Sequence, residues 1–150
     1  ITNCSNNYGP KQHDEKLIPT IIRKALAGEN IPIYGDGKNI RDWLYVLDHC
    51  KGIDLVYHTG KEANVYNIGG RNERTNLQIV DAICTILDEK VPKENSYKNL
   101  INFVEDRAGH DRRYAIDATK LEDTLGWKAQ DDFDSGIVKT IEWYLGKYNK

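Results

Sequence analysis

The sequence predicts an α/β fold of mixed helices and short strands. Three observations predict it. Short β-branched runs, such as Ile31–Tyr34, Ile40–Val46 and Val65–Ile68, are too brief for helices and end at Gly or polar turns. Between them lie longer stretches with apolar residues at helical spacing. Gly28 and Gly126 follow two of these stretches where a helix would close on a left-handed residue.

Ile1–Cys4 reads as a strand running into a polar turn, Ser5-Asn6-Asn7-Tyr8-Gly9-Pro10. Glu15–Ala27 reads as a helix, with Leu17, Ile18, Ile21, Ile22, Ala25 and Leu26 on one face and Pro19 tolerated in its first turn. Ile31–Tyr34 is extended, Gly35-Asp36-Gly37 is a turn, and Ile40–Val46 is a strand feeding a helix over Leu47–His58. Val65–Ile68 is a strand closed by Gly69-Gly70. Thr75-x-x-Gln78 has the form of a capping box and opens a helix carrying Leu77, Val80, Ile83, Cys84 and Leu87. A polar connection over Val91–Asn99 leads to strands at Ile101–Val104 and Tyr114–Ile116. Asp117 is placed to cap a short helix ending at Leu125, and Asp134–Tyr148 forms the last helix.

The 150 residues suffice for one domain with a real core. With 21 basic and 23 acidic residues, the net charge of −2 gives no general attraction to nucleic acid or anionic membrane. No apolar run reaches the roughly 18 residues of a membrane helix, and no signal segment opens the chain. The odd cysteines Cys4, Cys50 and Cys84 fit a reducing, cytoplasmic setting, with Cys84 packed in a helix. His13, His49, His58 and His110 lack metal-ligand spacing. The chain has no methionine and begins on a strand, so it reads as the back part of a longer protein.

Four stretches carry candidate chemistry. Asn6 and Asn7 at a strand end can present amide donors to a ligand, or serve only the turn. Tyr34 beside a Gly-rich turn can stack on a base, and Arg41 can reach a phosphate. Alternatively Tyr34 is half-buried and Arg41 pairs with Asp42 or another carboxylate. In Glu105–Tyr114, seven of ten residues carry charged or imidazole side chains, which reads either as a solvated loop or as a second anion-binding segment through Arg107. Asp106 and His110 can be neighbours there. Asn76, in the first turn behind the Thr75 cap, can meet an anion or a sugar hydroxyl, although capping alone explains Thr75. No Gly-x-Gly-x-x-Gly turn, no helix with Tyr-x-x-x-Lys and no nucleophile elbow occurs, so no catalytic set is legible.

Together, SNNYGPKQHDEKLIP, IPIYGDGKNIRDWLYVLDH, YNIGGRNERTNLQIV and DRAGHDRRYAID resemble the dTDP-glucose 4,6-dehydratases, within the extended short-chain dehydrogenase/reductase superfamily. The resemblance covers essentially the whole chain. It implies a C-terminal substrate-binding part, with residues 1–10 a remnant of the NAD-binding Rossmann domain and 11–150 the nucleotide-sugar domain, parts of which pack back on the rest. It implies that Asn6, Lys16, Leu17, Pro32, Tyr34, Arg41, Asn76, Asp106, Arg107, His110 and Tyr114 bind dTDP-glucose, with Pro32 and Tyr34 flanking the thymine and Arg41 and Arg107 neutralising the diphosphate. Asn7 and Tyr8 would lie near the nicotinamide of NAD. No catalytic residue would lie in this piece, and the intact enzyme would be a homodimeric NAD-dependent lyase of deoxysugar (rhamnose) biosynthesis. In such an enzyme NAD oxidises the sugar at C4, water leaves across C5 and C6, and the hydride returns to C6. Ala108 departs from the proline usual after the arginine, which leaves that loop less pre-set. The rival readings are a UDP-sugar epimerase or decarboxylase of the same superfamily, and a stand-alone nucleotide-sugar-binding module.

Overall fold

A computed structural model of the chain describes residues 1–106 and 108–148. Eight short strands and five helices alternate. The strands are β1 (Thr2–Cys4), β2 (Asn6–Tyr8), β3 (Ile31–Tyr34), β4 (Ile40–Tyr45), β5 (Tyr66–Ile68), β6 (Glu73–Thr75), β7 (Ile101–Val104) and β8 (Arg113–Tyr114). The helices are α1 (Leu17–Ala27), α2 (Val46–Thr59), α3 (Asn76–Lys90), α4 (Thr119–Leu125) and α5 (Phe133–Tyr148).

The strands form three small sheets. β1 pairs in parallel with β5, and β3 in parallel with β7. β4 is the centre of the third sheet, parallel to β2 and β8 and antiparallel to β6. The element types follow the sequence closely, but β6 and a 3-10 turn at Tyr97–Leu100 were not expected, and three further points differ. The first is that Asn6–Tyr8 is a strand, not a turn, because its backbone continues into a ladder with Trp43–Tyr45. The second is that the strand at the start of the chain pairs in parallel with β5, a partner that local sequence does not indicate. Third, the strand expected at Tyr114–Ile116 sits one residue earlier, where β8 pairs with Ile40 and Arg41.

Local chemistry accounts for the ends. α1 starts at Leu17 rather than Glu15, because Lys16 is extended and takes the N-cap position. Gly28 closes it at φ 71°, with the Gly28 and Glu29 N–H groups donating back to Ala25 and Lys24 carbonyls. The capping box of α3 is present in both directions between Thr75 and Gln78. Asp117 accepts the Thr119 N–H at 2.9 Å, one residue outside the Ala118 cap of α4.

The main core lies between α1, α3, α5 and the β3 and β4 strands, and contains Ile18, Ile22, Ile33, Ile83, Leu87 and Ile141. A second core joins Leu44, Tyr66, Ile68, Leu121 and Trp127. β4 serves both, since Trp43 and Tyr45 face the first and Leu44 the second. Cys84 is fully buried in the α3 stripe, where burial pushes its thiol up to about 11.

Candidate functional site

A cleft of about 570 Å3 opens where the N-terminal turn of α1, the β2 and β4 strands, β3 and the start of α3 meet. Strand alternation chooses its walls. On β3, Ile31 and Ile33 point into the core, which leaves Pro32 and Tyr34 on the cleft face. On β4, Arg41 and Trp43 share the cleft side, while Asp42 points the other way. Asn6 stands opposite Trp43 in the β2–β4 register. Lys16 and Leu17 enter from the first turn of α1, Asn76 from the first turn of α3, and His110 from the charged segment after β7.

The first turn of α1 is held from behind by α5. The Tyr144 hydroxyl donates to the Gln12 carbonyl at 2.9 Å, and Lys147 and the Tyr148 hydroxyl reach the Asp14 carboxylate at 3.0 and 3.1 Å. The Lys16 N–H donates to the His13 carbonyl at 3.0 Å. Thus the segment that carries Lys16 and Leu17 is set by tertiary contacts, not by helix propensity.

Arg41 decides between the two readings of the Arg-Asp-Trp triplet. Its Nη1 donates to the carbonyl of Ile40 at 2.8 Å, and among the described residues it makes no ion pair. Asp42 is buried and accepts the Gly70 and Asn72 N–H groups at 3.0 and 2.8 Å, so its charge is consumed by the 70–72 turn. The guanidinium is therefore free for an anion. Lys16 likewise makes no ion pair among the described residues, whereas Lys24 pairs with Glu29 at 3.1 Å. The buried indole N–H of Trp43 has no hydrogen-bond partner among the described residues. A neighbouring groove of about 620 Å3, lined by Arg71, Arg74 and Arg113, is different. There Arg71 is bound to Glu122 and Arg113 to Glu73, each at 2.6 Å, so two of its three guanidinium charges are already spent.

Of the residues expected to bind substrate, Asn6, Lys16, Leu17, Pro32, Tyr34, Arg41, Asn76 and His110 line this one cleft. Asp106 stands behind His110, its Oδ1 2.9 Å from His110 Nδ1, and so orients the imidazole without lining the wall. Tyr114 is placed beside Arg41 by the β4–β8 register, half exposed and outside the wall. Arg107 lies outside the described residues.

The two residues expected near the nicotinamide, Tyr8 and Asn7, make contacts within the chain. Tyr8 is 1% exposed, with its ring edge-on to Trp43 and Tyr45 and tilted against Phe133, at 5.6 to 6.3 Å between centroids. Its hydroxyl donates to the Asp132 carbonyl and is pushed up by burial. Tyr8 is a core residue because β2 is a strand whose third residue faces inward. Asn7 spends its amide within the protein. Its Nδ2 donates to the Ser5 carbonyl at 3.0 Å, and its Oδ1 lies 2.8 Å from His49 Nδ1. With Oδ1 accepting, His49 carries its hydrogen on Nδ1. These groups are thus engaged within the chain, and no step through NAD is derived from them.

Sequence reading missed Glu15, just before α1, Thr20, Ile21 and Lys24, which extend the α1 wall, and Trp43. Their signals were present. Leu17, Ile21 and Lys24 recur at helical spacing, and Trp43 lies two residues from Arg41 on a strand.

The cleft sits on a mixed α/β scaffold, and comparison with known proteins defines the class of the chain. Residues 1–140 match the family described as GDP-mannose 4,6 dehydratase, and the chain belongs to that family of nucleotide-sugar enzymes. Within it, the chain is homologous to dTDP-glucose 4,6-dehydratases. That of Shigella flexneri is 58% identical over 149 residues, which cover 99% of this chain and 41% of the relative. A Bacillus anthracis dTDP-glucose 4,6-dehydratase solved with NAD superimposes with a TM-score of 0.89 at 47% identity, covering 99% of this chain and 44% of that one. One from Streptomyces venezuelae, solved with NAD and TYD bound, gives 0.91 at 40% identity, covering the same shares of the two chains. The chain spans about two fifths of the length of the curated relatives it matches. The expected placement at the C-terminal end gives way to this coarser statement.

Proposed function

We propose that the cleft binds the nucleotide sugar of a dTDP-glucose 4,6-dehydratase, and that the chain supplies the substrate-holding side of that enzyme. The whole enzyme converts dTDP-glucose to dTDP-4-dehydro-6-deoxyglucose and water. The observation that carries the reading is Arg41. It has no ion pair among the described residues, and it lines the same cleft as Pro32 and Tyr34, which share one strand face. A flat Tyr–Pro surface suits a pyrimidine base, and a planar guanidinium suits a diphosphate. Lys16 adds a second cation, and Asn6, Asn76 and His110 add hydrogen-bonding groups along the path between base and sugar. Such groups contribute by orientation, which lowers the barrier for chemistry carried out elsewhere on the enzyme.

The test is a titration of the chain with dTDP, UDP and GDP, followed by chemical shift. Progressive shifts at Tyr34, Arg41 and Asn76, with dTDP binding tighter than UDP, are expected. A preference for UDP would instead support the epimerase or decarboxylase reading, and shifts confined to the Arg71 groove would displace the site altogether.

A further inference from the structure

Asn39 is 3% exposed and lies outside the cleft, yet three of the cleft's walls are fastened to it or to the turn it ends. Its side-chain Nδ2 donates to the Asp111 carbonyl at 3.0 Å, one residue from His110. Its own carbonyl accepts the Asn76 N–H at 3.1 Å, at the first turn of α3. Two residues on along β4 is Arg41. The turn before it is equally constrained. The Gly37 N–H donates to Tyr34, and its carbonyl accepts the Leu77 N–H. A Cβ on Gly37, at φ 67°, would stand 2.6 Å from Leu77 Cγ and 2.7 Å from Ile33 Cγ2. At the rim, Arg112 Nη1 spans both Asp36 oxygens at 2.9 and 3.1 Å, tying the charged segment to the same turn a second time.

The type of residue at position 39 is informative. Among the described residues, Asn39 Oδ1 is buried without a hydrogen-bond partner. An unsatisfied buried acceptor lowers stability, and an apolar side chain would avoid that cost. What only the amide provides is the Nδ2 bond to residue 111. We propose that Asn39 is a positioning residue: it sets residues 108–112 against the cleft so that His110 meets the diphosphate part of the ligand alongside Asn76 and Arg41. This rests on reading the cleft as the dTDP site. The base end, Pro32 and Tyr34, is fixed by β3 pairing with β7 and does not depend on Asn39.

The test compares dTDP with thymidine, which lacks the diphosphate, on the wild-type chain, Asn39→Asp, Arg112→Ala and Arg41→Ala. Asn39→Asp keeps the shape of the side chain but removes the donor and sets a carboxylate against the Asp111 carbonyl. It is expected to weaken dTDP about fivefold or more, as loss of one hydrogen bond does, while thymidine affinity stays the same. The His110 imidazole resonances of the free protein move with it. Arg112→Ala, an exposed change that does not threaten folding, weakens dTDP in the same selective way by a smaller factor. Equal loss of dTDP and thymidine affinity would overturn the proposal, because it marks a general effect on the scaffold. Unchanged dTDP affinity in both variants, with Arg41→Ala still weakening it, would overturn the positioning role and leave the site intact. Wild-type chain that does not favour dTDP over thymidine would overturn the site reading, and the positioning role with it.

Discussion

Replacing Arg41 with alanine removes a cation that the protein does not use for itself. Its one internal bond is to the Ile40 carbonyl, and the adjacent Asp42 is satisfied by the 70–72 turn. The variant therefore loses little stability, within about 0.5 kcal/mol as for an ordinary surface change. Binding is another matter. A charge-assisted bond to a phosphate contributes about 1.5–3 kcal/mol, and alanine offers the diphosphate no donor in its place. Taking about 2 kcal/mol, dTDP affinity should fall about 30-fold. Arg41→Lys keeps the charge and loses the planar fork, so it recovers part of the loss. Shift titration with dTDP, alongside thermal unfolding of each variant, separates the two quantities. The reasoning fails if Arg41→Ala binds dTDP within twofold of wild type, or if it unfolds several degrees lower, since the second result means the guanidinium is structural.

Other expectations come from the scaffold. Burial holds His49 below its ordinary imidazole value, so the folded state resists a proton that the unfolded chain accepts from about pH 6.5 downward. Stability should fall as pH drops below that value, and His49→Gln should flatten the profile of melting temperature between pH 7.5 and 5.5; an unaltered slope would contradict this. Asp42→Ala leaves the Gly70 and Asn72 N–H groups without their acceptor and should cost about 2–4 kcal/mol by denaturant unfolding, where a loss under about 1 kcal/mol would show that water replaces the carboxylate. Gly136→Ala places a Cβ 2.1 Å from the Tyr8 hydroxyl, so it should destabilise by about 1–3 kcal/mol despite the better helix propensity of alanine. Adding Tyr8→Phe should restore part of that loss, and no restoration would mean the strain lies elsewhere.

The sequence made some of this legible because the signals are local. Helical stripes, the Thr75–Gln78 box and the Gly28 cap depend on neighbours within one turn, and each element appeared where its pattern lay. Strand alternation likewise announced that Pro32 and Tyr34 share a face. What the sequence hid depends on pairing between distant segments. Asn6–Tyr8 has the composition of a turn, and only the ladder with Trp43–Tyr45 makes it a strand. That pairing then decides function residue by residue. It brings Asn6 beside Trp43 at the cleft and turns Tyr8 into the aromatic core, although Asn6, Asn7 and Tyr8 are neighbours in sequence. The same holds for Arg41 and Asp42. Adjacent charges of opposite sign invite an ion pair, yet a strand sends successive side chains to opposite faces. Asp42 is consumed by backbone amides on one side, and Arg41 is left with its charge on the other. The proposed anion site thus rests on β4 separating two charges that the sequence sets side by side.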